Sequence, residues 1–137
     1  MVAGGKFNTA SGRGSMIVGG EHNTASGDYS FASGQYASAT NAGSFVWNDY
    51  SAGAFASTAS NQFLIHANGG VGIGVNNPSV TLDIVDKIRI RGGNAAANRV
   101  LTSIDATGTA EWKDISAIAS DDDWDKEPPV GTTEVCP

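Results

Sequence analysis

Hydrophobic and polar positions near the start of the chain follow a seven-residue period. The triplet Ala25-Ser26-Gly27 recurs seven residues later as Ala32-Ser33-Gly34, and the string NTASG occurs twice, at 8–12 and 23–27. Alternating segments, such as SMIV at 15–18 and SFAS at 30–33, separate the glycines. Because strand side chains alternate between two faces and glycine permits a sharp corner, the pattern predicts short strands joined by corners. The predicted corner glycines are Gly12, Gly19, Gly27 and Gly34.

A coiled coil is excluded by the residue types in these heptads. Its seam requires large apolar residues, whereas these heptads consist of Ser, Gly, Thr, Asn and Ala, and each glycine costs a helix about 1 kcal/mol. The sequence instead predicts an all-β parallel solenoid in which two heptads form one coil and alanines line a narrow interior. Four coils are expected through about residue 58, with Gly20 as the extra residue that lengthens one coil.

The interior of such a solenoid buries little apolar surface, so we expect further burial outside it. Stacked repeats generally require three or more units and capped ends, and an alanine contributes less than a buried Leu, Ile or Phe. Large apolar side chains on the outer surface are expected to pack against other copies of the chain or to bind a surface. These residues are Tyr29, Phe31, Tyr36, Phe45, Trp47 and Phe55.

Later segments carry other β patterns. The sequence predicts a strand at 63–65, a hairpin turn at 68–70 and a strand alternating with glycine at 71–74, where another backbone can approach closely. It also predicts a half-buried strand within 81–93, from Ile88 and Ile90 among charged residues, and a hairpin at 100–112 around 105–108. If three chains associate, we expect a neck axis formed by Phe63, Ile65, His66, Val71 and Ile73.

Charge and hydropathy exclude several classes of partner. The net charge is -6, and residues 119–137 hold six acids against one lysine, so no basic face exists for a nucleic acid. No apolar run approaches the roughly 20 residues of a membrane span, and the first residues lack a signal-peptide pattern. The acidic tail is interpreted as a solvated linker rather than a calcium loop at Asp121, Asp123 and Asp125. Cys136 has no partner for an internal disulfide.

No motif predicts catalysis, a cofactor or a metal. The GGVGIG segment at 69–74 lacks the third glycine of a dinucleotide fingerprint, and no nucleophile elbow of the Gly-x-Ser-x-Gly type is present. His22 and His66 have no partners at metal-ligand spacing. A ring of three His66 side chains that binds a metal or an anion is a further hypothesis for a trimer.

The repeats resemble a known family over residues 4–60. The segment NTASGDYSFASGQYASA, with its neighbouring VGG and NTASG strings, is similar to the head repeats of trimeric autotransporter adhesins of the YadA-like type. The resemblance implies a left-handed parallel β-roll, an intertwined homotrimer, and an extracellular head that adheres to a host or matrix surface. Taken together with the later β patterns and the acidic tail, the resemblance predicts β-roll head repeats at 1–60, a neck at 61–79, a small β section at 80–118 and a tail at 119–137.

Two later segments bear on the choice between functions. ASTASNQFLIHANGGVGIGVNNPSVTLDI resembles connectors that follow such heads, with His66 and Val75 where Arg and Thr are common. NRVLTSIDATGTAEW is similar to segments of bacterial surface proteins and of phage or phage-like tail fibres, with Ile104 inserted. The prediction is a non-enzymatic fibre or adhesin segment at a cell or particle surface, with itself and an unidentified protein or glycan receptor as partners. A tail-fibre segment is the second hypothesis, and an ice-binding solenoid using Thr9 and Thr24 is the third.

Overall fold

The computed structural model describes residues 1–51 and 53–116, and almost all of their regular structure is β. The chain divides into two units, Met1–Lys87 and a second beginning at Ile88, and each is considered separately. Twelve strands occur in the described residues: β1 Thr9–Ala10, β2 Met16–Glu21, β3 Thr24–Ala25, β4 Phe31–Gln35, β5 Ala37–Ala39, β6 Phe45–Asn48, β7 Phe55–Ala56, β8 Phe63–His66, β9 Val71–Ile73, β10 Leu82–Ile84, β11 Arg99–Ser103 and β12 Ala110–Asp114.

The first eight strands form a parallel β-solenoid of about five turns, which confirms the predicted fold class. One sheet, the first wall, has the order β2-β4-β6-β8, and the other, the second wall, has the order β1-β3-β5-β7. Strand β8 pairs in parallel with β6 along its whole length. The solenoid therefore continues to His66, beyond the four coils expected from the sequence.

The coils differ in length at two defined places. Met16 pairs with Phe31 fifteen residues later, whereas Gly20 pairs with Gly34 fourteen residues later, because the register shifts between Ile17 and Gly20. The extra residue therefore lies in a bulge of β2, between Ile17 and Gly20. The sequence prediction, which assigned it to Gly20, is wrong. The step from β6 to β8 is eighteen residues, since the segment at 49–54 lengthens that coil.

The solenoid core is thin and alanine-rich, as expected from the repeats. Ile17 and Val46 of the first wall are fully buried opposite Ala25 and Ala39 of the second wall. Alanines at these positions let the walls approach closely, and Leu64 continues the inward row at the start of the last coil, where it is only partly buried. The core therefore depends on few large side chains.

After the solenoid, the predicted hairpin at 68–70 is wrong in its pairing. A turn is present, because the Gly70 backbone N–H donates to the Ala67 carbonyl oxygen at 2.9 Å. The strands on its two sides do not pair with each other, however: β8 pairs with β6, and β9 pairs in parallel with β10. The strand predicted within 81–93 ends at Ile84, and both Ile88 and Ile90 are exposed outside any strand.

The second unit contains the predicted hairpin. Strands β11 and β12 are antiparallel, with Leu101 opposite Trp112, and the turn lies at 105–108. The Asp105 carboxylate accepts hydrogen bonds from the backbone N–H groups of Thr107 and Thr109, at 2.9 and 3.0 Å. The acidic tail, with Asp121, Asp123, Asp125 and Cys136, lies outside the described residues.

Candidate functional site

The outer surface of the first wall carries a row of stacked aromatic rings. The pairing of β4, β6 and β8 places Phe31, Phe45 and Phe63 side by side on consecutive coils. Their ring centroids lie 4.6 and 4.4 Å apart, with interplanar angles of 3° and 16°. Their sequence neighbours Ala32, Val46 and Leu64 point inward, because strand side chains alternate between faces. The solenoid repeat therefore generates an aromatic ladder that faces outward.

A second outward row extends this ladder into a surface. Val18, Trp47 and Ile65 are exposed by 48%, 36% and 41%, which is high for large apolar side chains. We call the two rows together the aromatic face, and neither row contains a charged residue. Its members are Met16, Phe31, Phe45, Phe63, Val18, Ser33, Trp47 and Ile65.

The structure distributes the predicted packing residues over three environments. Of those residues, Phe31, Phe45 and Trp47 lie on the aromatic face, and the predicted neck residues Phe63 and Ile65 lie there too. Met16 and Val18 are further members that the sequence analysis missed, although the alternation in SMIV matches that in SFAS.

The remaining predicted packing residues lie elsewhere. Phe55 of the second wall is half-buried against the core, and its ring centroid is 5.4 Å from that of His66. Tyr29 and Tyr36 are at corners, which removes them from the aromatic face. Farther along, Val71 is half-buried and Ile73 exposed in the β9–β10 pair.

One corner carries a stack of three rings with left-handed backbone. Phe7, His22 and Tyr36 have φ of 54°, 57° and 56°, a conformation that costs bulky residues free energy. The His22 ring lies between the other two, at centroid distances of 4.8 and 5.0 Å. Phe7 is 72% exposed, so the stack ends in an open aromatic surface. His22, predicted only as a lone histidine, is thus a member of a surface ladder.

A different corner holds a small polar cluster around Tyr29. The Arg13 guanidinium lies 5.0 Å from the centroid of the Tyr29 ring and donates a hydrogen bond to the Tyr29 hydroxyl. Asp28 accepts a hydrogen bond from the backbone N–H of Arg13 at 2.9 Å, and its carboxylate is 4.0 Å from the guanidinium. The positive charge of Arg13 is therefore balanced locally, and all three residues are exposed.

Of the four predicted corner glycines, Gly12 and Gly27 lie at corners, whereas Gly19 and Gly34 lie inside strands β2 and β4. Gly34 has φ of 99°, and a Cβ there would lie 1.9 Å from the carbonyl oxygen of Asn48. At Gly12 and Gly27 a Cβ would lie 2.1 and 2.3 Å from backbone oxygens of the next coil, so close backbone approach excludes a side chain. Gly19 lies in the bulge of β2, where a Cβ would meet nothing within 4 Å.

Asp49 contacts several residues of the last coil of the solenoid through its carboxylate. Its carboxylate accepts hydrogen bonds from the Ser51 hydroxyl and from the backbone N–H of Asn68, and it lies 3.2 Å from Nδ1 of His66. The Ser51 hydroxyl and then the Asn68 N–H make the largest contributions that lower the pKa of Asp49 from 3.8 to about 2. We call these four residues the Asp49 cluster.

The second wall presents hydroxyl groups rather than aromatic rings. Thr9, Thr24 and Ser38 pair in register on consecutive coils, whereas the next coil has Ala56. The two walls therefore differ in chemistry, since one outer face is aromatic and the other is polar. Thr9 and Thr24, the residues of the ice-binding hypothesis, form only part of this short hydroxyl row.

The described residues offer no metal site and no membrane-spanning helix, and the comparisons with known proteins gave no match. The described residues contain no group of three His, Cys, Asp or Glu side chains that could hold a metal ion. No helix in residues 1–51 and 53–116 is long and apolar enough to cross a membrane. Comparisons of the chain with protein-family models, with curated proteins and with solved structures found no match.

Proposed function

We propose that this chain is a non-enzymatic segment of an extracellular homotrimeric fibre that mediates attachment to a surface. The observation that carries the proposal is the aromatic face, which continues over four strands without a charged residue. Monomeric proteins rarely expose large contiguous apolar patches, and such patches commonly mark interaction sites. A second copy of the chain is the simplest partner, because an uncharged face meets its own copy without repulsion between like charges.

The number three comes from the resemblance of the repeats to trimeric adhesin heads. Three copies arranged about an axis parallel to the solenoids would cover the three aromatic faces together. The thin core supports this arrangement, since burial between chains would add the apolar contacts that alanines do not provide. The second wall and the corners around Tyr29 and Tyr36 would remain exposed for contact with a receptor.

The self-association test is the molar mass of the chain in solution, by light scattering on a size-exclusion column. Circular dichroism of the same peak checks that the material is folded. A β-rich species near three times the chain mass of 14.0 kDa is expected. A folded β-rich monomer at micromolar concentration would overturn the trimer.

Attachment requires a separate test. The labelled trimer is applied to arrays of matrix proteins and glycans, and Tyr29→Ala and Tyr36→Ala variants of unchanged mass are compared with the parent. Binding that is lost in one of these variants would locate the receptor surface at that corner. A trimer that binds neither class of ligand would contradict the attachment role while leaving the fibre role intact.

A further inference from the structure

Asn68 lies in an environment that favours reaction of its side-chain amide. It is the one asparagine in the sequence that precedes a glycine, and it is exposed in the turn between β8 and β9. Within the described residues its amide makes no hydrogen bond, whereas the amide nitrogen of Asn23 donates to two carbonyl oxygens. A Cβ at Gly69 would meet nothing within 4 Å, so the position of the missing side chain is open.

We propose that Asn68 is a site of spontaneous deamidation, and that its product opens the Asp49 cluster. This inference is independent of the proposed function. The Gly69 backbone nitrogen loses its proton and attacks Cγ of Asn68, which forms a C–N bond and closes a five-membered imide. The Cγ–Nδ2 bond breaks, and Nδ2 leaves as ammonia. Glycine favours this step because it has no Cβ to hinder ring closure.

Water completes the reaction without any change in oxidation state. Addition of water at Cγ breaks the new C–N bond and leaves an aspartate. Addition at the main-chain carbonyl carbon breaks the original peptide link, so that the chain continues through Cγ as an isoaspartate. Each route consumes one water and yields one carboxylate where the neutral amide of Asn68 stood.

The new carboxylate would lie next to an existing one. Oδ2 of Asp49 accepts a hydrogen bond from the backbone N–H of Asn68 at 2.6 Å. The Cα atom that carries the side chain of residue 68 is bonded directly to that nitrogen. Like charges at short range destabilise each other, and the Asp49 carboxylate stays ionised because its pKa is about 2. An isoaspartate also inserts a main-chain carbon beside the contact. Both products therefore weaken the hydrogen bond between Asp49 and residue 68.

The first experiment follows the reaction in the full chain. The protein is incubated at mildly alkaline pH, where the Gly69 nitrogen is more readily deprotonated, and sampled by peptide mapping that separates Asn, Asp and isoAsp. Asn76 and Asn94, also exposed but not followed by glycine, are internal controls. We expect Asn68 to convert several-fold faster than either and to yield both acids. Gly69→Ala, which has room for its methyl group, should suppress the conversion. Equal rates at the three asparagines, or no effect of Gly69→Ala, would overturn the proposed site.

A second experiment tests the structural consequence without waiting for the reaction. Asn68→Asp installs the product charge, and Asn68→Gln is the matched neutral control. Hydrogen exchange of the backbone amide at residue 68 reports its bond to Asp49. We expect faster exchange in Asn68→Asp and parent-like exchange in Asn68→Gln. Parent-like exchange in both variants would overturn the effect on the Asp49 cluster.

Discussion

The side-chain oxygen Oδ1 of Asn8 accepts the backbone N–H of Asn23, the equivalent residue one coil later, at 2.9 Å. The relationship repeats on the next coil, where Oδ1 of Asn23 accepts the backbone N–H of Ala37 at 2.9 Å. Asn23 Nδ2 in turn donates to the carbonyl oxygens of Gly19 and Gly34. The asparagine that begins each NTASG string therefore joins its coil to the following one, which explains why the string is written twice.

Asn23→Ala should strongly destabilise the solenoid. Asn23 is fully buried, and its removal leaves two carbonyl oxygens and one N–H without their partner. A buried group left unpaired costs about 1–3 kcal/mol, so the buried Ala37 N–H alone should lower the free energy of unfolding by about that much, and the two partly buried carbonyl oxygens should add to the loss. Chemical denaturation followed by circular dichroism measures the loss. Asn8→Ala is the control, because two of its three bonds are exposed and the third, to the Asn23 N–H, is only partly buried, so its loss should be smaller. Equal losses would contradict the role of burial.

The repeat pattern was sufficient to predict the solenoid but not its details. Alternation in SFAS and FVWN predicts which residues face inward, since Ala32 and Val46 are buried and their neighbours Phe31 and Phe45 lie outside. Phe55 is predicted to face outward, but its ring packs against the core. The insertion at 49–54 lengthens this coil, so Phe55 pairs with the buried Ala37. The seven-residue period of the preceding coils does not predict such an insertion.

The corners were also predictable only in part. The sequence places glycines at corners, but left-handed backbone at Phe7, His22 and Tyr36 contradicts residue preference. The rings of these residues stack on one another across neighbouring coils, an interaction that single-residue propensity does not describe. The hydrogen bonds of Asn8 and Asn23 could not be predicted for a similar reason, because they form only when whole coils stack on one another.

Gly34→Ala should destabilise the solenoid, whereas Gly19→Ala should not. An added methyl at Gly34 would overlap the carbonyl oxygen of Asn48 at 1.9 Å, at a φ of 99° that alanine rarely adopts. Strain and displacement of the next coil should together cost about 2 kcal/mol or more. Gly19 has open space and ordinary φ, so its change should lie within about 0.5 kcal/mol. Thermal unfolding of both variants provides the comparison, and a harmless Gly34→Ala would mean that β4 and the neighbouring strand can shift to admit the methyl group.

Acid should loosen the Asp49 cluster in a defined pH window. The pKa of Asp49 is lowered from 3.8 to about 2 in the folded chain, so unfolding takes up protons between these values. The stabilisation is present above pH about 4 and is lost as the pH falls through about 2. The protection of the Asn68 amide, measured as its exchange relative to the intrinsic rate at each pH, should therefore fall over this range.

Asp49→Asn supplies the control for acid loosening. The Asn68 amide of this variant should be less protected than that of the parent at neutral pH and should lose little further protection on acidification. Asp105 has a pKa of about 2 for the same kind of reason, chiefly the Thr107 and then the Thr109 hydroxyl, and serves as a second reporter within the hairpin. Acid sensitivity at Asn68 that persists unchanged in Asp49→Asn would assign it to another group.

A charge on the aromatic face should dissociate the proposed trimer, whereas the same charge on the second wall should not. Phe45 lies between Phe31 and Phe63 in the ladder, so Phe45→Lys would place an ammonium group in the centre of the proposed contact between chains. Burying an unpaired charge is costly, and three copies would also bring three such charges together. We expect the molar mass of this variant to fall to that of one chain at concentrations where the parent is a trimer.

Thr24→Lys is the matched control, because Thr24 faces outward on the second wall next to the buried Ala25. It adds the same charge at a neighbouring level of the solenoid, so a trimer through the aromatic face should keep its mass. Circular dichroism of both variants establishes that the β-solenoid itself persists. If Thr24→Lys dissociates the trimer and Phe45→Lys does not, the interface lies on the second wall. The reason is that an added charge disrupts only the wall that another chain covers.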